Sequence, residues 1–346
     1  MDLSYTQGLH QTAITYGEPL VSALASDRIV GKHVIILTNQ RYYDYFFEKI
    51  YGLFAKQPVD WYVCSNLVYG NHLQELTSVL EFLGRFSTQE DYLFLAFGNE
   101  GVVQLTGFLH ATSILQSEFW VIPVSLRSYA AALAPQRFIC KQPTEYLLQT
   151  NALAQQLFLD QTIVAGQKQG KLVDLLTFLR AGIVCDVSLL RTLYQTFPTT
   201  KQLQKTSFTA FVEPLTELYE QSAMAIESFG QLFEQAFYLT EHGHLLSENM
   251  KRLLGVLLQL NWNLSTIDST FHLKNFLIWL KHLGFPIAFP DELSIAEYLQ
   301  NVLHLQARTS NLVVLSEIGT IGETRKLNEQ ELLQAMTRYQ ELLAEI

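Results

Sequence analysis

The chain has 346 residues, enough for one large or two ordinary domains, and its 49% hydrophobic and 16% charged content supplies a sizeable core. That balance excludes an intrinsically disordered chain. A formal net charge of -10 argues against nucleic acid or an anionic membrane surface as partner.

No run of about 18 apolar residues occurs, so no membrane span is expected. The opening MDLSYTQGLHQ has neither a basic nor an apolar segment, so no secretory signal is expected. The three cysteines, Cys64, Cys140 and Cys185, are odd in number and far apart, which predicts reduced, structural thiols in the cytoplasm.

In chain order, residues 33–38 (HVIILT) form a nearly all-apolar run, as a parallel strand buried on both faces requires. Residues 41–56 follow with Tyr42, Phe46, Ile50 and Leu53 at helical spacing. The aromatic run Tyr42, Tyr43, Tyr45, Phe46 and Phe47 reads as a helix core face, with a partly exposed interaction surface as the other reading. Residues 61–64 predict a second strand and 72–86 a second helix. Residues 93–97 (LFLAF) predict a third strand, 98–101 a turn, 102–115 a third helix, and 119–122 a fourth strand closed by Pro123. Strands alternating with helices imply a parallel sheet covered by helices. A strand entering a helix through a glycine-containing turn offers backbone N–H groups where nucleotide phosphates often sit.

Residues 127–165 are less periodic and predict loops with a strand near 134–140. From about Leu172 the pattern becomes helix after helix. Two helix starts carry a cap residue with a carboxylate three positions on, Ser294 with Glu297 and Asn328 with Glu331. Phe285-Pro286 and Phe289-Pro290 break the chain before the first of these. One short strand is expected at 312–315. The expected organisation is therefore an α/β domain over 1–165, a mainly α-helical domain over 166–346, and a ligand cleft between them. The motifs G-x-x-x-x-G-K-[ST], C-x-x-C, H-E-x-x-H and G-x-S-x-G do not occur.

The stretch from Gly98 to Leu126 resembles a segment of 3-dehydroquinate synthase and its sugar-phosphate cyclase relatives, G-G-G-V-V-x-D-L-A-G-F-x-A-A-T followed by P-T-T-L. Gly98, Val102, Leu105, Gly107, Phe108, Ala111, Thr112, Phe119, Pro123 and Leu126 fall in register without a gap. Residues 176–186 (LTFLRAGIVCD) resemble A-E-x-I-K-x-G-x-I-x-D, and 228–236 (SFGQLFEQA) resemble N-x-G-H-T-x-G-H-A. The stretch around Pro286 and the later LVVLSEIGT resemble the family's G-L-P helix and V-L-L-x-x-I-G strand. The resemblance spans nearly the whole chain. It implies a Rossmann-like N-terminal domain, a helical C-terminal domain, a homodimer, and a reaction using NAD and a divalent metal, usually zinc. In that reaction NAD transiently oxidises a ring alcohol, phosphate is eliminated, and the ring closes.

Residue by residue, the positions that the resemblance marks for chemistry have changed. The family's glutamate ligand to zinc falls on Thr177, its first histidine on Gln231 and its second, catalytic histidine on Gln235. Neutral Thr and Gln bring no charge to a zinc ion. A later H-G-E motif lies opposite Glu241-His242-Gly243-His244, so His242 or His244 is the remaining candidate metal ligand, against a reading of both as solvent-exposed loop histidines. At the cofactor turn Gly98 remains, while Asn99 and Glu100 replace glycines. A carboxylate at Glu100 favours the helix start but repels phosphate. The family's aspartates fall on Gln104 and on Asn39, and P-T-T becomes Pro123-Val124-Ser125. The candidate cofactor positions are thus Asn39, Gly98, Asn99, Gln104 and Ser125. In the substrate loop the aspartate falls on Ala131, with Arg137 in place of the lysine. The lysine of A-E-x-I-K falls on Arg180, and the two later lysines fall near His304-Leu305-Gln306, with Arg308 close by.

These changes lead to a non-catalytic homologue that needs neither NAD nor zinc and acts by binding, with a protein as candidate partner. The alternative is a sugar-phosphate cyclase or polyol dehydrogenase of altered chemistry, using Arg137, Arg180 and the His242/His244 pair together with NAD and zinc. An intact 3-dehydroquinate synthase in another register is the third reading.

Overall fold

Apolar strands alternate with helices in the first half of the computed structural model, which describes residues 1–24, 29–65, 71–164, 170–267, 269–308 and 311–346. The chain divides into two compact units, Met1–Gly170 and Lys171–Ile346. In the first, an antiparallel hairpin of β1 (Asp2–Gln7) and β2 (His10–Tyr16) precedes the short α1 (Leu20–Ala23). There follow β3 (His33–Asn39), α2 (Gln40–Leu53), β4 (Val59–Cys64), α3 (Leu73–Leu83), β5 (Tyr92–Phe97), α4 (Glu100–Thr112), β6 (Ser117–Val121) and α5 (Leu126–Leu133). A second hairpin, β7 (Gln136–Gln142) and β8 (Glu145–Asn151), precedes β9 (Gln156–Leu159) and α6 (Gln161–Val164).

The seven-stranded sheet has the order β1-β2-β9-β6-β5-β3-β4, parallel throughout from β2 onward. Strand β3 is followed by β4 on one side and by β5 on the other, so the strand order reverses between β3 and β5. Val34, Ile36, Leu93, Leu95, Phe97, Trp120, Ile122 and Phe158 share one face by the twofold strand period, and Ile50 and Phe54 of α2 pack on it. Each such side chain contributes roughly 1.5–3 kcal/mol on burial.

The strand expected near 134–140 is present as β7, which among the described residues pairs with β8 in a separate two-stranded sheet and makes one bridge, Cys140 to His72. Two other expectations need correction. The stretch read as loops contains α5 and β9, and β9 sits inside the sheet between β2 and β6. Four residues, QLFL, are too short to show a period. The short strand expected at 312–315 is displaced as well. Leu312 makes one bridge to Arg325, and the ladder itself joins β10 (Leu315–Glu317) to β11 (Thr320–Ile321).

The second unit contains α7 (Gly170–Cys185), α8 (Val187–Thr196), α9 (Thr200–Lys205), α10 (Val212–Ser228), α11 (Gln231–Leu239), α12 (Glu248–Thr266) and α13 (Leu273–Leu283) before α14 (Ile295–Gln306) and α15 (Glu329–Ala344). Helix α12 is its hub and carries buried amides that bind neighbouring backbone. Gln259 accepts from Gly230 N at 2.6 Å and donates to Val313 O at 2.8 Å. Asn263 exchanges two bonds with Leu315, both 3.0 Å, and Asn261 donates to Ala335 O at 2.6 Å. Buried polar groups are tolerated because they are bonded in this way. Ser294 caps α14 as expected, accepting from Glu297 N at 3.3 Å. Asn328 caps α15, but Glu331 turns away from it to pair with Arg325.

Two measurements check this description. A Cβ on Gly243 would lie 1.8 Å from Phe237 O, and neither backbone can rotate aside, whereas Gly52 in α2 has nothing within 4 Å. Gly243→Ala should lower stability by roughly 2–4 kcal/mol, and Gly52→Ala should raise it by about 0.5–1 kcal/mol, both readable by denaturant unfolding. The second concerns Asp160, which is 1% exposed and accepts from Lys49 Nζ at 2.7 Å and from the Thr162 N–H and hydroxyl at 2.8 and 2.6 Å. Burial pulls its pKa up, but Lys49 and Thr162 outweigh that and hold it below the usual value. A depressed folded-state pKa means stability that is present above the unfolded value, about 3.9, and lost as pH falls through the folded one. Asp160→Asn should therefore cost roughly 1–3 kcal/mol at neutral pH and flatten the stability loss on acidification below about pH 4.

Candidate functional site

In open parallel sheets a ligand lies outside the carboxyl ends of the strands where strand order reverses, here beyond β3 and β5. Two predicted cofactor positions meet there. Asn39, the last residue of β3, is buried, and its Oδ1 accepts from Asn99 N at 3.0 Å. Gly98 lies beneath this bond. A Cβ on it would fall 2.8 Å from Asn39 Oδ1 and 2.8 Å from Val102 Cγ2, so glycine is required by the close approach of the two strand ends. Asn99 in turn caps α4, its Oδ1 accepting from Val102 N at 3.1 Å.

The remaining polar groups of this edge are also engaged. Glu100, in the first turn of α4, forms an ion pair with Arg127 at the start of α5, and both side chains are largely buried. Ser125 and Ser128 make a reciprocal capping box, Ser128 N donating to Ser125 Oγ at 3.1 Å and Ser125 N to Ser128 Oγ at 3.0 Å. Val124 N donates to the same Ser128 Oγ at 3.0 Å. The N–H groups of Asn99, Val102, Val124, Ser125 and Ser128 are thus bonded to the chain's own oxygens, and a carboxylate stands at the helix start. This set fits a pyrophosphate poorly, because the Glu100 carboxylate brings negative charge to the first turn of α4 and the neutral Asn99 oxygen already takes the Val102 N–H.

Gln104, the remaining candidate cofactor position, is half-buried, and it accepts from Phe138 N at 3.2 Å and so ties α4 to β7. The substrate-loop positions Ala131 and Arg137 lie in the core. Arg137 is 0% exposed, and its guanidinium donates to Ala131 O at 2.8 Å and Ala132 O at 3.2 Å, the last carbonyls of α5. Its carbon lies 5.7 Å from the Phe119 ring centre. Burial pulls its pKa down to about 9, so the charge persists at neutral pH and complements the negative end of the helix. The expectation that Arg137 offers its charge to a substrate is corrected by this placement. Gly107 makes room for it, since a Cβ there would meet Arg137 Nε at 2.5 Å.

In the helical unit, Thr177 is 3% exposed and its hydroxyl faces Val173 O at 3.4 Å. Arg180 is likewise buried, on the same helix. It forms an ion pair with Glu227, whose carboxylate also accepts from Tyr219 OH at 2.7 Å. That network joins α7 to α10 and consumes the cation that the sequence offered for a phosphate. Gln231 and Gln235 stand one turn apart on α11, Gln235 being 7% exposed. Gly230 and Gly255 bring α11 and α12 into backbone contact, a Cβ on Gly255 falling 2.5 Å from Gly230 O. Two buried cations of α12 pack on α11, Lys251 over the Tyr238 ring at 4.3 Å and Arg252 3.7 Å from Glu234. Burial pulls the Lys251 pKa down, against the carboxylates of Glu248 and Glu234.

His242 and His244 are both exposed, with ring centres 6.0 Å apart. His242 is held at φ 61 by the turn that Gly243 permits. Among the described residues no group of three or more His, Cys, Asp or Glu side chains is placed to hold a metal. A hydroxyl and two amides do not fit a zinc ion, which takes charged or imidazole donors. Sequence reasoning missed Glu227, Tyr219 and Arg127 as partners of the candidate positions, because nothing in the local pattern ties residues 27–47 positions apart.

No family model matches the chain. It is 23% identical over 310 residues to 3-dehydroquinate synthase of Listeria monocytogenes serotype 4a, covering 83% of this chain and 82% of that protein. Among solved structures it is similar to 2-deoxy-scyllo-inosose synthase complexed with carbaglucose-6-phosphate, NAD+ and Co2+, with a TM-score of 0.80, 9% identity, and coverage of 98% and 99%. It is also similar to 2-epi-5-epi-valiolone synthase of Streptomyces hygroscopicus subsp. jinggangensis with NAD+ and Zn2+ bound, with a TM-score of 0.78, 12% identity, and the same coverage. The sequence likeness along most of both chains, on a fold shared from end to end, makes this chain a divergent member of the 3-dehydroquinate synthase-like, or sugar-phosphate cyclase, superfamily.

Proposed function

We infer that this chain is a non-catalytic homologue within the superfamily, acting by binding, without NAD or zinc. The observation that carries this reading is the internal satisfaction of the strand-reversal edge, where Asn39 holds Asn99, Asn99 caps α4 and Glu100 pairs with Arg127. The donor chemistry of Thr177, Gln231 and Gln235 supports the same conclusion for the metal. The alternative, altered cyclase or polyol dehydrogenase chemistry, relied on Arg137 and Arg180 as phosphate-binding cations. Both are buried and bonded to the chain itself, so nothing in the geometry favours it.

Binding to a protein, a second copy of the chain included, is supported by β8. Among the described residues it pairs only with β7, and Tyr146, Leu147 and Leu148 are between 42% and 43% exposed. An edge strand of this kind is open to pairing with another chain.

Two measurements test the reading. Dialysed from excess zinc into metal-free buffer, the protein should retain no stoichiometric metal and should not eliminate phosphate from phosphorylated ketose or hexose acids. Retained zinc with phosphate release would overturn it. In sedimentation experiments Leu147→Lys should shift a self-associating chain toward the monomer, and an unchanged distribution would remove β8 from the contact.

A further inference from the structure

We propose that the helical unit carries a binding pocket for a small aromatic carboxylic acid, separate from every position that the family resemblance marks. A cavity of about 640 Å³ lies between α8, residues 269–272, α13 and the end of β10. That volume suits a one- or two-ring molecule. Its walls are fixed at both ends. Gly319 N donates to Ile183 O at 2.8 Å, and a Cβ on Gly319 would meet Val187 N at 2.3 Å, so the β10–β11 turn is seated against the start of α8. At the other end of α8, Trp279 Nε1 donates to Phe197 O at 2.8 Å.

Four rings line the cavity in a chain. Tyr194 and Trp279 meet edge to face at 5.4 Å, Trp279 and Phe276 lie 5.8 Å apart, and Phe276 and Phe271 lie 5.5 Å apart. Tyr194 on α8 remains 56% exposed, while Phe197, the residue that ends the helix, is fully buried. Such rings offer faces and edges to a flat guest. The polar members are Arg191, Glu317, His272 and Asn275. Among the described residues none of these four side chains has a hydrogen bond or ion pair, unlike the buried or half-buried Arg180, Arg252 and Arg325.

An unengaged guanidinium beside an aromatic wall recognises a planar carboxylate through its paired N–H donors. Glu317 brings the opposite charge and suits an amine, hydroxyl or ring N–H on the same guest. A phosphate ester would add charge that one arginine and one glutamate lining the same cavity do not balance, so a carboxylate is the better match.

The test uses the whole chain and indole-3-acetate as probe, followed by calorimetry or ligand-observed NMR up to about 10 mM. Saturable binding is expected. Arg191 is exposed, so Arg191→Gln should leave the unfolding midpoint in place while weakening binding about 10- to 100-fold. Tyr194→Ala should weaken it as well. 3-Methylindole, which lacks the carboxylate, and cyclohexanecarboxylate, which lacks the ring, should each bind far more weakly. Absence of saturation by the indole acid, equal binding by Arg191→Gln, or equal binding of 3-methylindole would each overturn the proposal. None of these outcomes bears on NAD or zinc.

Discussion

One hydrogen bond, from Asn99 N to Asn39 Oδ1, joins the two strand ends at which a parallel sheet of this order offers its ligand crevice. The sheet brings β3 and β5 side by side and then sends their chains to different helices. A short polar side chain across that gap fixes where α4 begins, and Gly98 is the only residue type that leaves room for it. With α4 placed, Glu100 reaches Arg127 and α5 is positioned in turn. Arg137 then closes the far end of α5 by taking its last carbonyls. The chain of contacts is continuous, and at each step a side chain of one element holds the next.

The helical unit is built on the same principle. Gln259, Asn261 and Asn263 on α12 bind backbone in three separate segments, and Gly230 with Gly255 lets α11 lie directly on α12. Arg180 is drawn into a buried network with Glu227 and Tyr219. Leaving any one of these buried charges unpaired costs several kcal/mol, on the order of 3–5. Arg180 is thus part of what keeps the unit folded. The cavity between α8 and α13 differs, because its arginine and its glutamate have no such partners among the described residues.

Much of the fold was legible. HVIILT and LFLAF read as buried strands because both of their faces are covered, and α4 followed from the glycine turn and the apolar run after it. Strands β1 and β2 escaped notice because DLSYTQ and HQTAITY mix polar and apolar residues at an exposed sheet edge. Strand β9 escaped because four residues carry no period, and α5 because its alanines fit several environments. At the candidate site, the family register located Asn39, Gly98, Asn99, Gln104, Ser125, Thr177, Gln231 and Gln235 by number. It gave no indication that Arg137 and Arg180 are internal, since the buried or exposed state of an arginine depends on partners distant in sequence. The family register, with a positive charge retained at each position, had suggested a ligand-binding role for both.

The most direct measurement is calorimetric titration of NAD into the unmodified chain, alongside Asn99→Gly/Glu100→Gly, which removes the cap oxygen and the carboxylate from the start of α4. If the chain's own side chains fill the anion seat, the unmodified protein should show no saturable heat at millimolar NAD, a Kd weaker than about 1 mM, and the double variant should bind more tightly. Saturable binding of NAD by the unmodified chain, at an affinity equal to or above that of the variant, would contradict the account.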